Sequence, residues 1–212
     1  MSLNLTAAQK SIGLRFWLIL TAQVMLVLSI PAHAAYLYMT GKTIALQTGP
    51  VDPYSPLQGY YVTLRYDISN PQTLETLPGW DDVAAASAAI ESPDSSTPSL
   101  FTGKTPFYVI LAAPTNPAAQ PPQPWQPVAV SIDRPTSLSA NQVVLQGTYR
   151  QGQIRYGLER YFIPEARRDE INQQIAQLQP ADKLPYVVEV KVGTNGEAVP
   201  LGVWIGDRQY QF

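Results

Sequence analysis

Residues 186–205, YVVEVKVGTNGEAVPLGVWI, read as two strands around a turn, and that reading decides the class of fold. Val188, Val190 and Val192 recur at every second position, with Glu189 and Lys191 between them. Period-two alternation marks a strand with one buried face and one wetter face. Asn195-Gly196 is a favoured centre for a two-residue type I′ hairpin turn, because both residues accept positive φ. Centring the turn there places Val192 opposite Val199, Val190 opposite Leu201, Val188 opposite Val203 and Tyr186 opposite Ile205. All four pairs are apolar and share a face, and a slip of one residue would destroy the match.

Upstream, residues 143–158 predict a second hairpin around Gln151-Gly152, with Tyr149 opposite Ile154 and Leu145 opposite Leu158. Gln-Gly is a weaker turn signal than Asn-Gly. Residues 43–47, 107–112 and 128–132 predict further strands. In residues 60–68, Tyr60, Val62, Leu64, Tyr66 and Ile68 alternate with Tyr61, Thr63, Arg65 and Asp67, again as on a strand. Two helices are expected. One covers residues 80–90, alanine-rich after Pro78-Gly79, with Asp81 and Asp82 in its first turn. The other opens at Pro164, carries Ile171, Ile175 and Leu178 at helical spacing, and stops at Pro180. Ten prolines lie between Pro93 and Pro135, and residues 112–127 read as an extended loop.

Before these strands comes an apolar run, residues 16–41, with no charge between Arg15 and Lys42. About 20 apolar residues cross the hydrocarbon core as a helix. Lys10 and Arg15 precede the run and Lys42 follows it, so the positive-inside rule predicts a cytoplasmic N-terminus and a domain on the far side. The expected organisation is a cytoplasmic segment 1–15, a transmembrane signal anchor 16–39 and an extracytoplasmic β-rich domain 40–212. Ala32-His33-Ala34 also fits the small-x-small pattern of a signal-peptidase site, and cleavage after Ala34 would release the domain. The apolar character of Tyr36, Leu37, Tyr38 and Met39 favours an uncut anchor, with the tyrosines at the interface. His33, the single histidine, reads as an interfacial residue, and Gln23 is one polar group within the span.

Composition excludes more than it specifies. Without residues 1–39, about 173 residues remain, enough for one core, with 12 basic and 16 acidic residues. That mild acidity argues against a nucleic-acid partner. The domain has no cysteine and no histidine. Ser-His-Asp and Cys-His catalysis are therefore closed to it, as are His/Cys zinc sites. No phosphate-loop, dinucleotide, EF-hand or nucleophile-elbow motif is present, so neither a metal nor a cofactor is expected. What survives is carboxylate chemistry, a Ser-Lys pair or oxygen-ligand calcium binding.

Gly59-Tyr60-Tyr61-Val62-Thr63-Leu64-Arg65-Tyr66 resembles the signature of the GDYXXLXY family, membrane-anchored bacterial proteins without an established activity. Residues 46–53, LQTGPVDP, and 157–165, GLERYFIPE, resemble that family's other recurring segments. The resemblance covers roughly residues 36–205. It implies a single N-terminal membrane helix in a bacterial inner membrane and an extracytoplasmic β-rich domain, and it carries no reaction. Tyr60 stands where the family motif has aspartate, so a chemical role for that aspartate could not extend to this chain. The motif reads more simply as structural, a glycine turning into a strand whose aromatics fill the core.

The expected fold is α+β, predominantly antiparallel β, a sandwich or open barrel with one or two short helices after the membrane helix. Candidate binding residues are Tyr60, Tyr66, Glu159 and Arg160; no catalytic residue stands out. Glu165 is explained by its place at a helix start. The expected function is a non-enzymatic binding or accessory module, partnered by the lipid bilayer through residues 16–39 and by an integral membrane or envelope protein. Two alternatives are a carboxylate hydrolase and a small-molecule or lipid carrier. The hydrolase would need two of Asp67, Glu159 and Glu189 to converge across a cleft; the carrier would need a large pocket near Tyr60, Tyr66 and Glu159.

Overall fold

Uncharged from Phe16 onward, the N-terminal run forms one helix, α1 (Ala7–Thr40), which continues through Pro31. The computed structural model describes residues 7–48, 61–63, 65–91, 104–116, 119–162 and 186–211. Within α1, Phe16–Thr40 is long and apolar enough to cross a membrane, and its apolar side chains stand exposed. Leu37 breaks that pattern: it is 5% exposed, against 64% and 60% for Tyr36 and Tyr38. The Gly41 N–H donates to the Leu37 carbonyl at 2.8 Å. Strand β1 (Lys42–Thr48) starts at the next residue, so one glycine separates the helix from the sheet.

The remaining strands are β2 (Tyr61–Thr63), β3 (Thr105–Ala112), β4 (Gln126–Ser131), β5 (Gln142–Arg150), β6 (Gln153–Arg155), β7 (Arg160–Phe162), β8 (Tyr186–Val192), β9 (Ala198–Ile205) and β10 (Arg208–Gln211). They form two four-stranded antiparallel sheets, in the orders β1-β8-β9-β10 and β4-β3-β5-β6, and a ribbon of β2 with β7. The short helix α2 (Pro71–Leu74) and α3 (Trp80–Glu91) lie between β2 and β3. Ile44, Leu46, Val188 and Val190 of one sheet join Phe107, Val109, Leu111 and Leu145 of the other in a single buried cluster. Trp80 and Val83 of α3 enter the same cluster, Trp80 edge-on to Tyr149 at 5.1 Å. The result is the expected α+β fold, antiparallel and sandwich-like.

The C-terminal hairpin forms, but its turn differs from the expectation. Gly196 donates to the Gly193 carbonyl at 3.1 Å and Gly193 to the Glu197 carbonyl at 2.8 Å. Thr194, Asn195 and Gly196 thus make a three-residue loop with Gly196 at φ 90°, the geometry of a turn followed by a left-handed glycine. One extra loop residue shifts the adjacent pairs to Val192↔Ala198, Lys191↔Val199 and Val190↔Pro200. A bulge beyond Glu189 then returns Val188↔Val203 to the expected register. Because bulge and loop offset each other, Val188, Val190 and Val192 stay buried.

In the second hairpin Tyr149 pairs with Ile154 as expected. Gln151 and Gly152 both have positive φ, 48° and 76°, which is the type I′ arrangement. The ladder stops at Arg155, so Leu145 and Leu158 do not pair across it. The strand expected over 60–68 is also shorter. β2 ends at Thr63, Tyr66 makes an isolated bridge to Thr48, and Asp67–Ser69 turns as a 3-10 helix. Alternation nonetheless persists in burial: Tyr66 and Ile68 are buried while Arg65 and Asp67 are exposed. The three short strands at 43–47, 107–112 and 128–132 and the helix at 80–90 are present within a few residues of their expected limits. The helix expected after Pro164, and Tyr60, lie outside the described residues.

Candidate functional site

Three separated stretches of sequence meet around Tyr66. The Tyr66 backbone bridges to Thr48 at the end of β1, and its hydroxyl donates to the Leu158 carbonyl at 3.0 Å. Just beyond, β2 pairs with β7 as Tyr61↔Phe162, Val62↔Tyr161 and Thr63↔Arg160. A second tyrosine makes the reciprocal tie, the Tyr156 hydroxyl donating to the Ile68 carbonyl at 2.7 Å. The Tyr156 N–H donates to Glu159 Oε1 at 2.5 Å, so Glu159 closes the turn that leads into β7. Burial, and secondarily the Glu159 charge, push both phenols above the ordinary tyrosine range. Tyr66 is thus a core brace with its hydroxyl already engaged. Glu159 is half-buried, and Arg160 begins β7, opposite Thr63.

A groove of about 1180 Å³ opens beside this brace. One wall is the end of α1, through Ile30, Ala34 and Leu37. The opposite wall comes from β5, the β5–β6 turn and the segment that reaches Glu159. Arg65, Lys104 and Arg155 also line it, all exposed and contributed by three different segments. His33 Nε2 and Glu197 Oε2 are 2.6 Å apart at the edge of the groove, joining α1 to the β8–β9 loop. The Glu197 carboxyl is held below its ordinary value, chiefly by the Asn195 side chain and then by His33. Leu37 sits where a Cβ on Gly193 would intrude, so the glycine gives the helix close access to the loop.

A second groove, about 720 Å³, runs between β1 and the turn at residues 65–71 and is closed by Trp125. The Trp125 N–H donates to the Ala45 carbonyl at 2.9 Å, and Lys42 Nζ lies 5.0 Å from the centre of its ring. The proline-rich segment is therefore a loop that packs back on the β1 edge. Partial burial raises the Asp67 carboxyl, which lines this groove.

The three carboxylates considered for hydrolysis go to different places. Glu159 lines the large groove and Asp67 the smaller one. Glu189 accepts from Trp204 Nε1 at 3.0 Å and from Gln209 Nε2. No two of them line the same groove. Among the described residues no cluster of three His, Asp or Glu could hold a metal ion. The pairing of His33 with Glu197, and the assembly of Arg65, Lys104 and Arg155, were not expected. These residues are far apart in sequence and follow no common spacing; only the outward position of Arg65 in the alternating run marked it as wet.

A family model described as GDYXXLXY protein matches residues 23–203, from within α1 into β9 and short of β10. No curated protein and no solved structure matches the chain.

Proposed function

The chain belongs to the GDYXXLXY family, and from that membership and the seating of α1 we propose a single-pass membrane protein whose domain is a non-enzymatic binding module. The N-terminus is cytoplasmic, the domain is extracytoplasmic, and α1 remains attached as its anchor. One observation carries the reading: Leu37 is buried against the domain and only Gly41 separates α1 from β1. A flexible linker would let the domain roam. This joint instead holds it at a fixed attitude to the bilayer, as suits a module that works on a membrane or envelope partner.

The large groove supports a second reading, a domain that binds a small molecule or lipid, since concave sites with a few convergent polar groups are the usual ligand sites. The hydrolase reading draws no such support, because Asp67, Glu159 and Glu189 are dispersed. Alkaline phosphatase fused after Phe212 tests the orientation. An active fusion recovered with the membranes at full length is expected; a stable, inactive fusion, or a band shortened by residues 1–34, would overturn the anchored extracytoplasmic assignment.

A further inference from the structure

The acids and bases of the large groove are unequally engaged. Glu197 is paired with His33, and Glu159 receives the Tyr156 N–H. Among the described residues, no carboxylate lies within ion-pair distance of Arg65, Lys104 or Arg155. The Arg155 guanidinium donates, among the described residues, to the neutral Gln153 side chain, at 3.3 Å. A domain with more acidic than basic residues thus gathers three exposed cations around one concavity. The facing wall, from Ile30 to Leu37 on α1, is apolar apart from His33.

Depth in the membrane identifies what such a groove meets. A hydrocarbon core of about 30 Å takes up roughly 20 helical residues at about 1.5 Å each. Counted from Phe16, that length ends near Ala35. Exposed Tyr36 and Tyr38 follow immediately, where amphipathic rings favour the interface. Ile30, His33 and Ala34 therefore lie at the outer end of that length and Leu37 just beyond it, so the groove opens across the boundary between acyl chains and headgroups.

We propose that this groove holds the phosphate headgroup of an anionic membrane lipid. Arg65, Lys104 and Arg155 neutralise the phosphate, while the acyl chains run down the apolar face of α1 below Ala34. The inference rests on the membrane-anchored binding reading and deepens it. Basic groups at an anionic surface attract such lipids at roughly 1 kcal/mol each, about fivefold in affinity.

The test uses the full-length chain purified in neutral detergent and given phosphatidylglycerol or phosphatidylcholine, with retained lipid counted by native mass spectrometry. Wild type is expected to retain phosphatidylglycerol preferentially. Arg65→Gln, Lys104→Gln and Arg155→Gln should each reduce that preference by about fivefold, whereas Arg65→Lys and Arg155→Lys should largely keep it. Equal retention of the two lipids, or a triple Gln variant with undiminished preference, overturns the proposal. A parallel arm offers inorganic phosphate alone. If phosphate binds as tightly as phosphatidylglycerol and is lost with the same substitutions, the site serves a soluble anion and the lipid assignment falls. A cross-link between cysteines at positions 33 and 197 separates the two levels of failure. Its formation without lipid preference sinks only the lipid inference; its failure in folded protein sinks the anchored geometry beneath it.

Discussion

Tyr66 and Tyr156 each bury a ring and donate the hydroxyl to a carbonyl in the other's segment, Leu158 for one and Ile68 for the other. Removing the Tyr156 hydroxyl leaves the Ile68 carbonyl without its partner in a dry place. Tyr156→Phe is expected to cost about 1–3 kcal/mol, read as a lower denaturation midpoint of the detergent-solubilised chain. An unchanged midpoint would show that the tie contributes nothing. Tyr66 was legible in the sequence because alternation put it on the apolar face. Tyr156 shares the alternating face of Ile154 and Leu158, which are buried as it is, but its tie to Ile68, far away in sequence, had no local signal. Glu197 carries the clearest pH dependence. Its folded pKa is depressed, so its stabilisation is complete above the unfolded carboxylate value and lost as pH falls through the folded one. The melting temperatures of wild type and Glu197→Gln should therefore differ slightly at pH 7 and converge as the pH falls below the ordinary carboxylate range. The difference is small because both members of the His33 pair are about half exposed. A difference that grew on acidification would contradict this sign.

Turns show how far local sequence can be trusted at the level of elements. Asn195-Gly196, the stronger signal, makes a three-residue loop, while Gln151-Gly152 makes the two-residue type I′ turn. The long-range contact that accompanies the former is the Gly196 carbonyl, which accepts from the Gln146 N–H of β5 at 2.8 Å. No window around residue 195 contains that information. The alternating valines were enough to find the strands, and the bulge restored their register. Gly196 at φ 90° faces both a conformational demand and the close approach of Gln146. Gly196→Ala should cost roughly 1–2 kcal/mol from the left-handed backbone alone, measured by urea unfolding, while Asn195→Ala should cost less. The reverse order would argue that the side-chain contact of Asn195 with Glu197, not the backbone, governs the loop. The pairing of β1 with β8 was illegible for a related reason: about 140 residues separate them, and each strand alone has many apolar edges it could match.

Across the whole molecule, the apolar N-terminal run gave the helix from composition alone, but not the way it ends. Leu37 against Gly193, and His33 against Glu197, join a helix long enough to span a bilayer to the tip of the β8–β9 hairpin. With Gly41 alone between α1 and β1, the domain and helix are geometrically coupled. Leu37→Asp should loosen that coupling without unfolding the sheets, so limited proteolysis should newly cut near Gly41 while the far-ultraviolet dichroism of the domain is kept. The native chain has no cysteine, which makes the joint directly measurable. His33→Cys with Glu197→Cys, treated in native membranes with a short bismaleimide, should close an internal link and shift gel mobility. Trp17→Cys with Glu197→Cys, displaced by about 24 Å along the helix at 1.5 Å per residue, should not. Linkage of the first pair alone is the expected result; linkage of neither pair in folded, membrane-bound protein, or equal linkage of both, would contradict a domain docked on the end of its anchor.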